Sequence, residues 1–102
     1  MRRIMVRYTV KPGRAEENEE LVRAVYAELA DVKPDDFQYA TWKEDDGLSF
    51  VHVSFSGSDG DSPLNSLKSF QKFTESIGER CQVPPKFIEL TQIGGYRVAE
   101  EA

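Results

Sequence analysis

The sequence predicts an α+β domain in which four strands and two helices follow in the order β-α-β-β-α-β. Three observations support this order. Apolar residues alternate with polar ones near the N-terminus, as in a strand, and they recur at helical spacing in two later segments. Asp46-Gly47 lies between two strand-like segments, as in a hairpin. The length of 102 residues fits one domain, so residues 1–102 are expected to form a single unit.

The first strand is predicted over residues 3–10, because its side chains alternate with a period of two. One side of this strand is apolar or aromatic: Ile4, Val6, Tyr8 and Val10. The other side carries two cations and a methionine: Arg3, Met5, Arg7 and Thr9. Since this second side is not a simple solvent-facing surface, we expect it to form a pocket wall.

The first helix is predicted over residues 14–31, after Lys11-Pro12-Gly13 ends the strand. Its first turns are acidic, which suits the positive end of the helix dipole. A buried stripe follows at helical spacing: Leu21, Val22, Val25, Tyr26 and Leu29. Asn18 extends this stripe towards the start of the helix, and a buried amide without a partner costs about 1–3 kcal/mol. Asn18 therefore either binds water at the edge of the core or faces a polar pocket.

A hairpin of two strands over residues 37–43 and 49–55 carries the single histidine, His52, and two registers are open. With a two-residue Asp46-Gly47 turn, Thr41 lies opposite His52, and four residues share the side of His52: Tyr39, Lys43, Phe50 and Ser54. With a three-residue loop, Ala40 lies opposite His52, and three residues share its side: Trp42, Phe50 and Ser54. Either register places an aromatic wall beside one titratable group.

A shorter second helix is predicted to start at Ser62-Pro63, with Ser as the cap and Pro in the first helical position, and to end near Gly78. Pro84-Pro85 separates this helix from a final strand over residues 86–93. Cys81 would then lie in the connecting loop, where a lone cysteine is more often inert than nucleophilic.

This order, with a split β-α-β pair around a central hairpin, is the ferredoxin-like arrangement with an antiparallel sheet. Each helix has one apolar stripe, so both helices must cover the same face of the sheet. The other face would expose a larger apolar patch than monomers usually tolerate. We therefore expect a homodimer in which two sheets cover each other, as a dimeric α+β barrel.

The composition disfavours several classes of function. The net charge of −5 disfavours a nucleic-acid surface, which needs clustered Lys and Arg. No apolar stretch approaches the ~20 residues of a membrane span, and the N-terminal segment lacks the apolar core of a signal peptide. One cysteine allows no internal disulfide, so the cytoplasm is the expected location. One His, one Cys and scattered carboxylates have no zinc-type spacing, so no metal site is predicted.

The strand-to-helix junction, Val10-Lys11-Pro12-Gly13-Arg14-Ala15-Glu16-Glu17, resembles the antibiotic biosynthesis monooxygenase-like family. That family has a Val-Lys-Pro-Gly turn before an acidic helix start. The resemblance continues through residues 50–55 and through Phe70-Gln71-Lys72-Phe73, and the element order agrees along about the whole chain. It implies a dimeric α+β barrel with a pocket between sheet and helices in each subunit. Some members oxygenate quinols or polyketide phenols without metal or flavin, and others degrade haem.

The sequence departs from the haem-degrading members of that family. Those members have an Asn on the first strand and a Trp and a His around the second helix. Here the first strand has no Asn, and the second helix region has Phe70 and Phe73 instead. The resemblance therefore implies oxygenation of a small phenol or quinol, with no cofactor, rather than haem degradation.

His52 is the predicted base, because imidazole is suited to proton transfer near neutral pH. On this hypothesis Arg7 would hold the phenolate that forms. Substrate contacts are assigned to four residues: Asn18, Tyr39, Trp42 and Phe50. Packing roles are the alternatives: a core histidine at position 52, an ion pair for Arg7, and core or dimer packing for Trp42.

Three functions fit such a barrel: a cofactor-free monooxygenase, a non-catalytic dimer that binds a small aromatic or lipophilic metabolite, and a related enzyme such as an isomerase. The fold alone does not distinguish them. The enzyme hypothesis gains support if His52 and Arg7 face one cavity. If His52 instead packs among helix side chains, the enzyme hypothesis loses most of its support.

Overall fold

A computed structural model describes residues 2–57 and 62–98. The elements follow in the predicted order: β1 (Arg2–Val10), α1 (Ala15–Val32), β2 (Phe37–Lys43), β3 (Ser49–Ser56), α2 (Lys68–Glu75), α3 (Ile77–Arg80) and β4 (Cys81–Glu89). The four strands form one sheet in the order β2-β3-β1-β4, and every neighbouring pair is antiparallel. The predicted α+β, ferredoxin-like fold is therefore confirmed.

The turn between β1 and α1 forms as its sequence predicts. Gly13 has a φ of 87°, a conformation that residues with a side chain rarely adopt. The backbone N–H of Arg14 donates to the carbonyl of Lys11 at 3.0 Å, which closes the turn before the helix. At the other end of α1, Lys33 is left-handed, and its N–H donates to the carbonyl of Leu29 at 2.8 Å.

The β2–β3 hairpin adopts the first of the two registers, with Thr41 opposite His52. The connection, residues 44–48, is longer than a two-residue turn, but it preserves the pairs that such a turn would give. Asp46 stabilises it, because its Oδ1 accepts two backbone N–H groups at 2.8 and 2.9 Å. Gly47 takes the required positive φ of 73°.

The second helical region is more broken than predicted. A single helix from Ser62 to near Gly78 was expected, but a 3-10 turn, Pro63–Ser66, precedes α2, and α3 follows as a separate turn. Ser62 does act as a cap, because its Oγ accepts from a backbone N–H of the 3-10 turn at 3.2 Å. Leu67, between the 3-10 turn and α2, is extended and buried. Packing into the core outweighs helix continuity there.

The last strand begins earlier than predicted and contains both prolines. The prediction of residues 86–93 is wrong, since β4 spans Cys81–Glu89. Pro84-Pro85 is tolerated because β4 is an edge strand that pairs with β1 alone, and its register with β1 shifts along that stretch. Cys81 is consequently not in a loop, because it pairs with Val10 and is buried.

The helices cover one face of the sheet, called here the covered face, and the core lies beneath them. The core combines residues of both layers: Tyr8, Val10, Phe50, Val22, Val25, Leu64, Leu67, Phe73 and Cys81. The opposite face, called the open face, carries Met5, Arg7, Ala40, Trp42, Val51, Val53 and Phe55. The side of β1 that contains Arg7 therefore belongs to the open face, and the prediction that it forms a pocket wall is wrong.

The described residues contain neither a helix that could span a membrane nor a cluster that could bind a metal. Within residues 2–57 and 62–98, no helix is both long and apolar enough to cross a membrane. Over the same ranges, no three His, Cys, Asp or Glu side chains are grouped so that they could hold a metal ion.

Candidate functional site

A cavity of about 470 Å³ opens between the covered face of the sheet and the second helical region. Most of its wall is aliphatic or aromatic: Ile4, Val6, Leu64, Phe70, Phe73, Ile77 and Phe87. Four titratable side chains of the sheet also line it, namely Arg2, Tyr8, Tyr39 and His52. An apolar cavity of this size with a few convergent polar groups is typical of a small-molecule site.

His52 is buried, with 4% of its surface exposed, and hydroxyl groups contact both ring nitrogens. Nε2 lies 2.8 Å from Oη of Tyr8. Nδ1 lies 2.7 Å from Oη of Tyr39 and 3.0 Å from Oγ1 of Thr41. Burial lowers the pKa of His52 to about 4, so the imidazole is neutral at pH 7. One ring nitrogen then donates a hydrogen bond and the other accepts one.

Tyr8 and Tyr39 hold the imidazole from two sides. The Tyr8 ring is stacked on His52 with centroids 5.4 Å apart, and the Tyr39 ring is tilted against it at 5.7 Å. Burial raises the pKa of both phenols, so each keeps its proton and can donate a hydrogen bond. Tyr26 of α1 extends the network, since its Oη lies 2.7 Å from Oγ1 of Thr41.

Asn18 connects Tyr8 to a buried arginine, Arg80. Its Nδ2 donates to Oη of Tyr8 at 2.8 Å, and its Oδ1 accepts from Nε of Arg80 at 3.2 Å. Asn18 and Arg80 are both fully buried. Asn18 is therefore not at the edge of the core with water as its partner. It belongs to a polar network behind the cavity wall.

Arg7, the predicted anion holder, lies on the open face and does not reach the cavity of His52. Its Nε and Nη2 donate to the two carboxylate oxygens of Glu44 at 2.7 and 3.0 Å. This hydrogen bonding raises the pKa of Arg7 above its ordinary value. The alternation of β1 explains the placement, because Val6 lies opposite His52 and the next side chain points to the other face.

Of the three aromatic residues assigned to the substrate, only Tyr39 lines the cavity. Phe50 is on the covered face, but it is buried in the core, stacked against Tyr8 at 5.7 Å. Trp42 belongs to the open face and is 55% exposed. Trp42 is separated from His52 because the hairpin does not adopt the register that would place them on one face.

Tyr8 and Arg80 are the site residues that the sequence analysis did not single out. The sequence did contain a signal for Tyr8, because a phenol among aliphatic strand positions needs a hydrogen-bonding partner when it is buried. The sequence contained no such signal for Arg80, since the neighbouring residues Gly78 and Glu79 are typical of an exposed turn. Only the tertiary structure places its guanidinium beside Asn18.

The fold has counterparts among solved structures. A candidate antibiotic biosynthesis monooxygenase from Nitrosomonas europaea matches with a TM-score of 0.77 and 14% identity, over 92% of this chain and 100% of that one. Another, from Bacteroides thetaiotaomicron, matches with a TM-score of 0.74 and 14% identity, over 96% of this chain and 95% of that one. A variant of SnoaB, a cofactor-independent oxygenase from Streptomyces nogalater, matches with a TM-score of 0.70 and 16% identity, over 95% of this chain and 97% of that one. No protein-family model matches the sequence, and no curated protein matches it significantly.

These likenesses show that the chain has the fold of the antibiotic biosynthesis monooxygenase structures, as the Lys-Pro-Gly junction and the element order predicted. At identities of 14 to 16%, they show the fold alone. Function depends on the side chains that a fold carries, so the reaction has to be inferred from the cavity around His52.

Proposed function

We propose that this protein is a cofactor-independent monooxygenase that acts on a small phenol or quinol bound beside His52. One observation carries the proposal: a neutral, buried imidazole lies between two phenols at the wall of a mostly apolar cavity. Aromatic and aliphatic walls suit a flat ring, and the few polar groups would orient its hydroxyl. SnoaB, which has a similar fold, is described as a cofactor-independent oxygenase, and this supports the same class of reaction here.

Oxygenation without a cofactor requires the substrate itself to reduce dioxygen. Loss of the hydroxyl proton makes the ring an electron-rich anion, a C–O bond forms at a ring carbon, and the O–O bond then breaks. A phenol becomes a quinone, or a quinol becomes a hydroxyquinone. The second oxygen atom leaves as water with the two hydrogens that the substrate has lost. Because the substrate supplies all the electrons, the protein need only accept a proton, stabilise the anion and exclude water.

His52 is the group that accepts the proton. It is neutral at pH 7 and so has a lone pair available. Its low pKa in the empty cavity reflects the cost of burying a charge. A phenolate formed beside the ring would offset that cost, since opposite charges attract strongly in a site of low polarity. The phenols of Tyr8 and Tyr39, bonded to the ring nitrogens, would keep the imidazole oriented.

Oxygen uptake with a panel of hydroquinones and naphthols tests this proposal. We expect one dioxygen consumed for each quinone formed, and His52→Ala should reduce kcat by about 10²–10⁴. Tyr39→Phe should also reduce the rate, because Tyr39 lines the cavity and contacts Nδ1. Tyr96→Phe is the matched control, since Tyr96 is exposed and does not line the cavity. An unchanged rate in His52→Ala would exclude His52 as the base.

A binding protein without catalysis is the second candidate function. It is favoured by the hydroxyl contacts at both ring nitrogens of His52, which leave the imidazole fully engaged in the empty cavity. Calorimetric titration of the same panel without oxygen separates the two functions. Binding that is never accompanied by oxygen uptake in air would support the binding protein and contradict the oxygenase.

We also propose that a second copy of the chain covers the open face, as in a dimeric α+β barrel. Apolar side chains of β1, β2 and β3 remain partly exposed there: Met5, Ala40, Trp42, Val51, Val53 and Phe55. Such a patch is large for a monomer, and two-fold pairing of identical faces is the commonest way to bury one. Light scattering should therefore give twice the mass of the chain. A monomer at the highest soluble concentration would contradict the dimer.

A further inference from the structure

We infer that Arg80, buried behind the cavity, stabilises an anionic ligand through a hydrogen-bond relay that ends at the Tyr8 hydroxyl. In this relay Arg80 donates to Asn18, and Asn18 donates to Tyr8. Both donors point the same way, from the cation towards the cavity wall. The ligand class is an oxyanion on a planar ring, that is, a phenolate or an enolate. The inference deepens the proposed function and rests on its cavity, but not on oxygen chemistry.

Arg80 is a buried cation, and all its hydrogen-bond partners among the described residues are neutral. Besides Asn18, its Nη1 donates to Oγ of Ser76 at 2.9 Å, and its Nη2 donates to the carbonyl of Phe73 at 2.8 Å. The guanidinium also lies 5.2 Å from the centroid of the Phe73 ring. Burial lowers the pKa of Arg80, but a guanidinium stays protonated in proteins. Buried cations are normally paired with a carboxylate, so this one is free to act on a bound anion.

Two charged groups outside these hydrogen bonds act on Arg80 with opposite signs. Glu17 attracts it and Arg14 repels it. These two residues form their own ion pair, with Nε to Oε1 at 2.7 Å and Nη2 to Oε2 at 3.2 Å. Cys81 adds no charge, because burial raises the pKa of its thiol and keeps it protonated. None of the described carboxylates bonds Arg80, and Glu17, which attracts it, is already paired with Arg14, so much of its positive charge is left for a bound anion.

The cavity has no negative charge of its own among the parts of its wall that the structure describes. The chain contains 18 Asp and Glu residues and has a net charge of −5, yet none of those lining residues is acidic. Arg2, which also lines the cavity, donates to Glu89 at 3.2 Å. A fixed cation acts strongly across an apolar cavity, because little water is present to screen it. The cavity therefore favours the ionised form of a phenol.

Tyr8 presents this positive potential to the ligand. Its Oη accepts from Asn18, which polarises the hydroxyl and makes it a better donor. In the empty cavity Oη lies 2.8 Å from Nε2 of His52. When Nε2 takes a proton from a ligand, it can no longer accept a hydrogen bond. The Tyr8 O–H is then released to donate to the oxyanion that has just formed.

Absorbance titration of bound 4-nitrophenol tests the relay, because the phenol and the phenolate absorb at different wavelengths. Binding to the unmodified protein should lower the pKa of this ligand by about one unit, a tenfold preference for the phenolate. Arg80→Gln keeps an amide donor for Asn18 but loses the charge, and it should abolish most of this shift. Arg80→Lys, which keeps the charge, should restore part of it. Tyr8→Phe should lose the shift as well.

Arg23→Gln is the matched control, because it removes the same formal charge from an exposed site on α1 that bonds Glu19. It should leave the ligand pKa unchanged. A folded Arg80→Gln that retains the full shift would overturn the relay. If Arg80→Gln does not fold, an unchanged shift in Tyr8→Phe overturns it instead. No binding of nitrophenol to the unmodified protein would overturn the ligand class. An intact relay without oxygen uptake on any phenol would overturn only the proposed reaction.

Discussion

The two faces of one four-stranded sheet use polar side chains in opposite ways. On the covered face, His52 and Tyr8 are buried, Tyr39 is partly buried, and the two tyrosines bond the imidazole at 2.7 to 2.8 Å. On the open face, Arg7 bonds the exposed Glu44, and Trp42 is 55% exposed. Both sets come from the same strands, because neighbouring residues of a strand point to opposite faces. A shift of one position in sequence thus separates a cavity wall from a partly exposed surface.

Two arginines show what this separation means for function. Arg7 looked suited to hold an anion because it lies on the polar side of β1, but its charge is satisfied by Glu44 on the open face. Arg80 comes from a turn remote in sequence, yet it is connected to Tyr8 through Asn18. A cation stabilises an anionic ligand more strongly when no carboxylate already neutralises its charge. The buried arginine therefore has the better claim to this role.

The largest effect is expected from a charge placed on the open face. Val53 lies on β3 between Met5 and Ala40, at the middle of that face. Val53→Glu would bury an unpaired carboxylate in each copy of a two-fold interface. The dissociation constant of the dimer should rise by roughly 100-fold or more.

Light scattering measures this dissociation, and circular dichroism should show that each subunit stays folded, since the covered face is untouched. Val32→Glu is the control, because it is the same substitution at an exposed residue of α1, away from the open face. A Val53→Glu protein that remains dimeric would show that the open face is not the interface.

The next largest effect is expected from truncating one aromatic residue on the covered face. Phe50 is 2% exposed and packs on Tyr8 in the core. Phe50→Ala should lower the free energy of unfolding by about 3–5 kcal/mol. The measurement is urea unfolding in the Val53→Glu background, where dissociation does not interfere. Trp42→Ala in the same background should change the free energy of unfolding by at most about 1 kcal/mol. Equal losses at the two positions would contradict the difference between the faces.

Acid should destabilise the covered face through His52. The pKa of this residue is about 4 in the folded chain and about 6.5 when unfolded. Between these values the unfolded chain binds a proton that the folded chain does not. The free energy of unfolding should therefore be level above pH 6.5 and fall as the pH drops to 4, by about 3 kcal/mol in total.

Urea unfolding of the unmodified protein and of His52→Gln between pH 4 and 8 measures this contribution. Glu17, Glu28 and Asp46 also have lowered pKa values, so they destabilise the protein in acid too, but equally in both proteins. The difference between the two curves isolates His52. Parallel curves would mean that the imidazole is not held neutral by burial.

The smallest effect is expected at Arg7. Its ion pair with Glu44 is exposed to solvent, so salt screens it and its contribution to stability is small. Arg7→Gln should leave oxygen uptake unchanged and should shift the melting temperature slightly, with the shift disappearing at high salt. Loss of oxygen uptake in an otherwise intact dimer would return Arg7 to the candidate site.

The local patterns were sufficient to predict most of the fold. The strands over residues 37–43 and 49–55, the helix after Gly13 and the cap at Ser62 follow from alternation, periodicity and turn chemistry. The last strand was misplaced because Pro84-Pro85 looked like a strand breaker. Whether proline is tolerated depends on which strand lies at the edge of the sheet, and that is a property of the topology.

The site was predicted only in part, for the same kind of reason. His52 and Tyr39 share a face in one of the two registers, and the structure selects that register. Trp42 followed from the other register, which is not adopted. Arg80 lies 62 positions after Asn18, so no local pattern could join them.

The sequence by itself determined the order of the elements, because periodicity and turn propensity act between near neighbours in the chain. The tertiary structure decided which side chains meet. It selected the register, placed Arg7 and His52 on opposite faces and placed a buried cation behind Tyr8. These choices depend on the packing of segments far apart in sequence, where burial and hydrogen bonding over the whole domain outweigh local preference.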